Sequence, residues 1–79
     1  MKTYEAVIRR INEICKAKNK SISDICLKAG MSPSNIYALI KGRTRISKID
    51  TIKRFSEGAG MTLAEFFAPT YFNDTDDDE

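Results

Sequence analysis

Histidine and tryptophan are absent from this 79-residue chain, which holds only two cysteines, two prolines and four glycines. Without histidine, Ser-His-Asp and Cys-His catalytic arrangements, a His-ligated zinc and an imidazole pH switch are all excluded. Cys15 and Cys26 are too few for a structural zinc site or a disulfide framework, and read as small core residues. Charge interrupts every apolar stretch well short of the roughly 20 residues that a bilayer span needs. The opening Met1-Lys2-Thr3-Tyr4-Glu5 does not start a secretory leader. These absences point to a cytosolic, non-enzymatic protein with no cofactor, no metal, no membrane attachment and no small-molecule ligand. A chain this short builds one small core.

What the sequence does have is charge, unevenly placed. Thirteen Lys and Arg against eleven Asp and Glu give a formal +2. Five of the acids, Asp74, Asp76, Asp77, Asp78 and Glu79, crowd the end, so residues 1–73 carry thirteen bases against six acids. A basic body favours a polyanionic partner, nucleic acid ahead of an anionic membrane. The acidic end from Asn73 reads as a disordered, solvating tail, with a second reading in which it competes with phosphate for the basic surface.

Helical periodicity dominates the rest. Tyr4, Val7, Ile8, Ile11, Ile14 and Cys15 recur at steps of three and four, with Asn19 as a stop. Ser21-x-x-Asp24 forms a capping box before the stripe Ile22, Ile25, Cys26 and Ala29, which Gly30 ends. Ser32-Pro33 is an N-cap followed by proline at the first helical position, opening a third helix with Ile36, Leu39 and Ile40 inward and Gly42 as its stop. Thr44 to Ile46 is a basic loop. Ser47-x-x-Asp50 caps a fourth helix with Ile49, Ile52, Phe55 and Ala59 inward, where Gly58 weakens the last turn. Thr62-x-x-Glu65 opens a fifth, with Leu63, Phe66 and Phe67, closed by Pro69. The expectation is an all-α bundle of five short helices, with a domain over residues 1–68 and an extension over residues 69–79.

Residues 21–43, SISDICLKAGMSPSNIYALIKGR, place two short helices about a tight glycine-containing turn. That is the helix-turn-helix pattern, whose second helix projects into a DNA major groove. Cys26 is small at the helix crossing, Gly30 tolerates positive φ, and Ile25, Ile36 and Leu39 clamp the pair from inside.

The chain here resembles the Cro and phage-repressor helix-turn-helix family, also called the xenobiotic-response-element family, from the first helix to about Phe67. Ile25-Cys26 stands for its Leu-Ala, Ala29-Gly30-Met31-Ser32 for its Ala-Gly-Val-Ser, Ile36 for its core Ile and Lys41-Gly42-Arg43 for its x-Gly-Lys/Arg. Ile49, Ile52, Phe55, Gly60-Met61-Thr62-Leu63 and Glu65-Phe66-Phe67 continue the pattern. The resemblance implies a lambda-repressor-like fold and a transcriptional repressor that binds double-stranded DNA by promoter occlusion, hence a nucleoid-associated protein. Departures fall at Ser21-Ile22, where the family often has Thr-Gln, at Pro33, Ser34 and Ala38, which replace stronger base readers, and at Ala59, a usual core Leu whose loss suggests looser packing around the fourth helix.

At about 100° per residue, Ile36, Leu39 and Ile40 share one side of the third helix. Ser34, Ala38, Lys41 and Tyr37 take the other, with Asn35 flanking. These five are the candidate base-facing residues: Ala38 suits a thymine methyl, Asn35 adenine and Ser34 several bases, while Tyr37 and Lys41 suit sugar and phosphate. Arg43, Thr44, Arg45 and Lys48, with Ser21 and Ser32 at helix starts, are the candidate phosphate contacts. Phe66, Phe67, Tyr71 and Phe72 exceed what one short helix needs, and either pack on the chain's own core or form a homodimer seam. A second reading keeps the bundle as a protein-interaction module, an antitoxin or adaptor, with Tyr37, Ile22 and the C-terminal aromatics as its surface.

Overall fold

The computed structural model describes residues 1–45 and 47–77. Within them the elements are α1 (Thr3–Lys18), α2 (Ile22–Ala29), α3 (Ser34–Ile40), α4 (Ile49–Gly58), α5 (Leu63–Phe66) and a 3₁₀ helix, Thr70–Asp74. The expected five helices are present in order, and the described residues include no strand. No helix among them is long and apolar enough to cross a membrane.

The stripes meet in one core built from Ile11 and Ile14 of α1, Ile25 and Cys26 of α2, Ile36 and Leu39 of α3, Ile52 and Phe55 of α4, and Phe66 of α5. Both thiols are unpaired, and burial pushes them up from the ordinary cysteine range, which suits packing rather than reactivity. Two capping boxes form as their spacing requires. Ser21 Oγ accepts from the Asp24 amide at 3.0 Å while the Ser21 amide donates to Asp24 Oδ2, and Thr62 and Glu65 make the same exchange. Asn19, at φ 54°, turns left-handed to end α1.

Three local expectations are corrected. α3 begins one residue later than expected, with Pro33 preceding it, although Ser32 Oγ still accepts from the Ser34 amide at 3.3 Å. Ser47 does not cap α4; Lys48 occupies that place without a side-chain bond, and Asp50 Oδ1 accepts instead from Thr51. Ile49 is 63% exposed rather than inward, because the first turn of α4 stands over an open concavity rather than beneath a packed neighbour.

Gly58 draws α4 close to α2, and Ala59 beside it is buried. A Cβ at Gly58 would lie 2.5 Å from the Ile25 carbonyl oxygen and 2.8 Å from Ala29 Cβ. Glycine's absent side chain therefore sets the distance of the helix crossing.

The largest departure is at the C-terminal end. Phe72 packs against Phe67 with ring centroids 4.9 Å apart, the Tyr71 hydroxyl donates to Glu13 Oε1 at 2.6 Å, and Arg9 lies 4.2 Å over the Tyr71 ring. Arg10 of α1 donates to the carbonyls of Phe66 and Glu65 at 2.7 and 2.8 Å, which ties α1 to the end of α5. The expected disordered tail is thus an ordered fold-back through Asp77, held by aromatic packing and by donors at the start of α1. The same expectation for Asp78 and Glu79, and the loop expected at Ile46, lie outside the described residues.

Candidate nucleic-acid interface

The approach from α2 to α3 rests on Gly30. At φ 69° it reverses the chain, and the Met31 amide donates back to the Cys26 carbonyl at 3.0 Å, so α3 starts at a fixed angle after a minimal turn. Buried Ile36 and Leu39 then hold one side of α3 against the core. Its opposite side is left to solvent. At the far end the Arg43 amide donates to the Ala38 carbonyl at 2.8 Å and Gly42 takes φ 75°, which ends the helix just before the exposed Arg43.

On the open side, Ser34, Asn35 and Lys41 are exposed, whereas Tyr37 and Ala38 are half-buried. Tyr37 is engaged: its hydroxyl is 3.0 Å from Ser23 Oγ on α2, and Lys41 Nζ lies 6.0 Å from the centre of its ring. Ser32 and Ser34 hydroxyls pair at 2.9 Å at the start of the helix.

Asn35 and Ala38 share a concavity of about 600 Å³ with Thr44, Ser47, Lys48, Asp50 and Thr51. This groove brings two candidate base readers beside two candidate phosphate contacts. Ser47, Asp50 and Thr51 were not among the candidates. The capping motif had assigned Ser47 and Asp50 to helix initiation, and nothing in the spacing marks Thr51.

The other candidates are dispersed. Arg45 turns toward α1, its guanidinium carbon 5.1 Å over the Tyr4 ring, and lines a different concavity. Ser21 has its hydroxyl and amide committed to Asp24, and those hydrogen bonds hold the Asp24 carboxyl below the usual aspartate range. Two further groups of bases lie away from the groove. Lys18, Lys20 and Lys28 line a separate concavity against Gly58, and Arg9 and Arg10 serve Glu13, Tyr71 and the end of α5. Of the aromatics considered for a seam, Phe66 is fully buried in its own core, while Phe67, Tyr71 and Phe72 are half-buried.

Residues 11–66 match the model of a family described as helix-turn-helix. No curated protein and no solved structure matches the chain.

Proposed function

Since the chain belongs to the helix-turn-helix family of DNA-binding regulators, we propose that it is a sequence-specific transcriptional repressor that acts by occluding a promoter. In this reading α3 lies in the major groove. Ser34, Asn35 and Ala38 face base edges, Tyr37 and Lys41 flank them toward sugar and phosphate, and Arg43, Thr44 and Lys48 take the backbone. Ser32 contributes at the start of α3. Ser21, Arg45 and the Tyr37 hydroxyl join only by exchanging present partners for phosphate. The observation that carries the reading is the single groove in which Asn35 and Ala38 adjoin Thr44 and Lys48.

The chemistry favours A·T-containing sites, because Asn35 suits adenine and Ala38 the thymine methyl. Catalysis has no part in it. One recognition helix covers few base pairs, so two copies on half-sites about one DNA turn apart would double the contact. A seam of Phe67, Tyr71 and Phe72 is the proposed means, with Phe66 beneath it. The interaction-module alternative takes Tyr37, Ile22 and the C-terminal aromatics as its surface, and the Tyr37 hydroxyl is already bonded to Ser23 in either reading.

Selection from genomic fragments with the purified chain, repeated with Lys41→Ala and Arg43→Ala, tests the reading. Enrichment of A·T-containing sites by the wild type and its loss in the variants is expected. Absence of enrichment by the wild type overturns sequence-specific binding, and strict G·C readout overturns the assigned base contacts.

A further inference from the structure

We propose that Asp77, in the acidic segment, is an internal competitor of the DNA backbone that shares a concavity with Arg45 and lowers affinity for DNA at low salt. The proposal rests on the DNA-binding reading above and concerns how that binding is restrained.

The docking starts from an unfilled need of α1. Its first amides have no partner within the helix, and Lys2 in the cap position has no side-chain acceptor to offer. Asp77 supplies it from the other end of the chain: Oδ1 accepts from the Thr3 amide at 2.8 Å and Oδ2 from the Thr3 hydroxyl at 2.5 Å. Thr75 and Thr3 hydroxyls meet at 2.9 Å, and the Asp76 amide donates to the Met1 carbonyl at 2.9 Å. Phe72 and Tyr71 anchor the preceding turn on the body. The Asp77 carboxylate is therefore placed, not trailing.

Its place matters because Asp77 lines the same concavity of about 450 Å³ as Arg45 and Lys2. Arg45 already faces that side, over Tyr4. Exposed charges sharing one small concavity lie within or near a Debye length of about 10 Å at 0.1 M salt. A phosphate approaching Arg45 thus meets the Asp77 carboxylate, which lowers the local positive potential. Salt should erase the effect, since the groups are solvent-exposed and screened.

The test uses the full chain and a random-sequence duplex, with affinity read by fluorescence anisotropy at about 50 mM and about 300 mM salt. The variants are Asp77→Asn, Glu57→Gln as a matched removal of one charge on the last turn of α4, and Asp77→Asn in an Arg45→Gln background. Asparagine still caps a helix, so the fold-back is retained, which Thr3 amide exchange checks. The expected result is roughly threefold tighter binding by Asp77→Asn at the lower salt. It is expected to shrink at the higher salt, to be absent in Glu57→Gln and to be abolished by Arg45→Gln. An equal gain in Glu57→Gln, a gain that survives Arg45→Gln, or no gain at low salt overturns the proposal while DNA binding stands. A chain that binds no duplex in any form, its Thr3 amide still protected, overturns the DNA-binding reading and this restraint with it.

Discussion

The hydroxyls of Ser23 and Tyr37 are hydrogen-bonded at 3.0 Å across the two helices of the helix-turn-helix, outside the apolar core that holds the pair from within. The bond steadies the orientation of α3 on its solvent side. Tyr37→Phe and Ser23→Ala are each expected to cost up to about 1 kcal/mol in urea denaturation. Their double variant should cost little more than either alone, since both remove one bond. Fully additive losses would show that the hydroxyls act separately.

Gly58→Ala sets two effects against each other. Helix propensity favours alanine by about 1 kcal/mol, but the new Cβ would meet the Ile25 carbonyl at 2.5 Å and Ala29 Cβ at 2.8 Å. Backbone cannot yield as a side-chain tip does, and overpacking costs about 1–3 kcal/mol. Thermal melting is expected to show net destabilisation, and a raised Tm would refute the close crossing of α2 and α4.

Tyr71 gives the fold an alkaline limb. Burial, then the hydrogen bond to Glu13 and that carboxylate's charge, push its hydroxyl up to about 12 against the opposing charges of Arg10 and Arg9. A folded-state value above the unfolded value of about 10 means that the contribution is whole below pH 10 and is lost as pH rises toward 12. Denaturation of wild type and Tyr71→Phe from neutral pH upward should show the difference between them narrowing across that window. A constant difference would remove the Glu13 bond as its cause.

Backbone contacts should declare themselves through salt. If Lys41, Arg43, Arg45 and Lys48 each meet a phosphate, log K falls against log salt with a slope of about −4. Arg43→Ala is expected to flatten that slope by about 1 while weakening binding evenly across sequences. Asn35→Ala should leave the slope unchanged and cost about 1–3 kcal/mol of discrimination at one base pair. A changed slope for Asn35→Ala would move that residue from base to backbone.

Much of this architecture is legible in the residues because its signals are local. Periodic apolar stripes, two reciprocal capping boxes and left-handed stops at Asn19, Gly30 and Gly42 all act within a few positions, and the structure reproduces them. Ser47-x-x-Asp50 misled because spacing alone does not decide whether a cap forms, and Ile49 because periodicity does not reveal where the covering neighbour ends. The fold-back of Thr75 to Asp77 was hidden for another reason. An acidic run has the composition of a solvated tail, and only the tertiary arrangement brings it to unfilled donors on α1. In the candidate site, the exposed side of α3 follows from helix geometry, but the turn of Arg45 toward Tyr4 and the tie between Ser23 and Tyr37 depend on packing that no short spacing encodes.

The grip of Arg10 on the carbonyls of Glu65 and Phe66 bears on the order in which the chain folds. Four residues cannot sustain a helix alone, and α5 is tied at its end to a cation some fifty-five positions earlier. Closing so long a loop costs entropy before any contact compensates for it, whereas α2, α3 and their turn close over short distances. The helix pair expected to meet DNA should therefore acquire amide protection during refolding ahead of α5 and the acidic clasp, which quenched-flow hydrogen exchange can order in time. Recognition would then be the early part of this molecule, and the ends would arrive to restrain it.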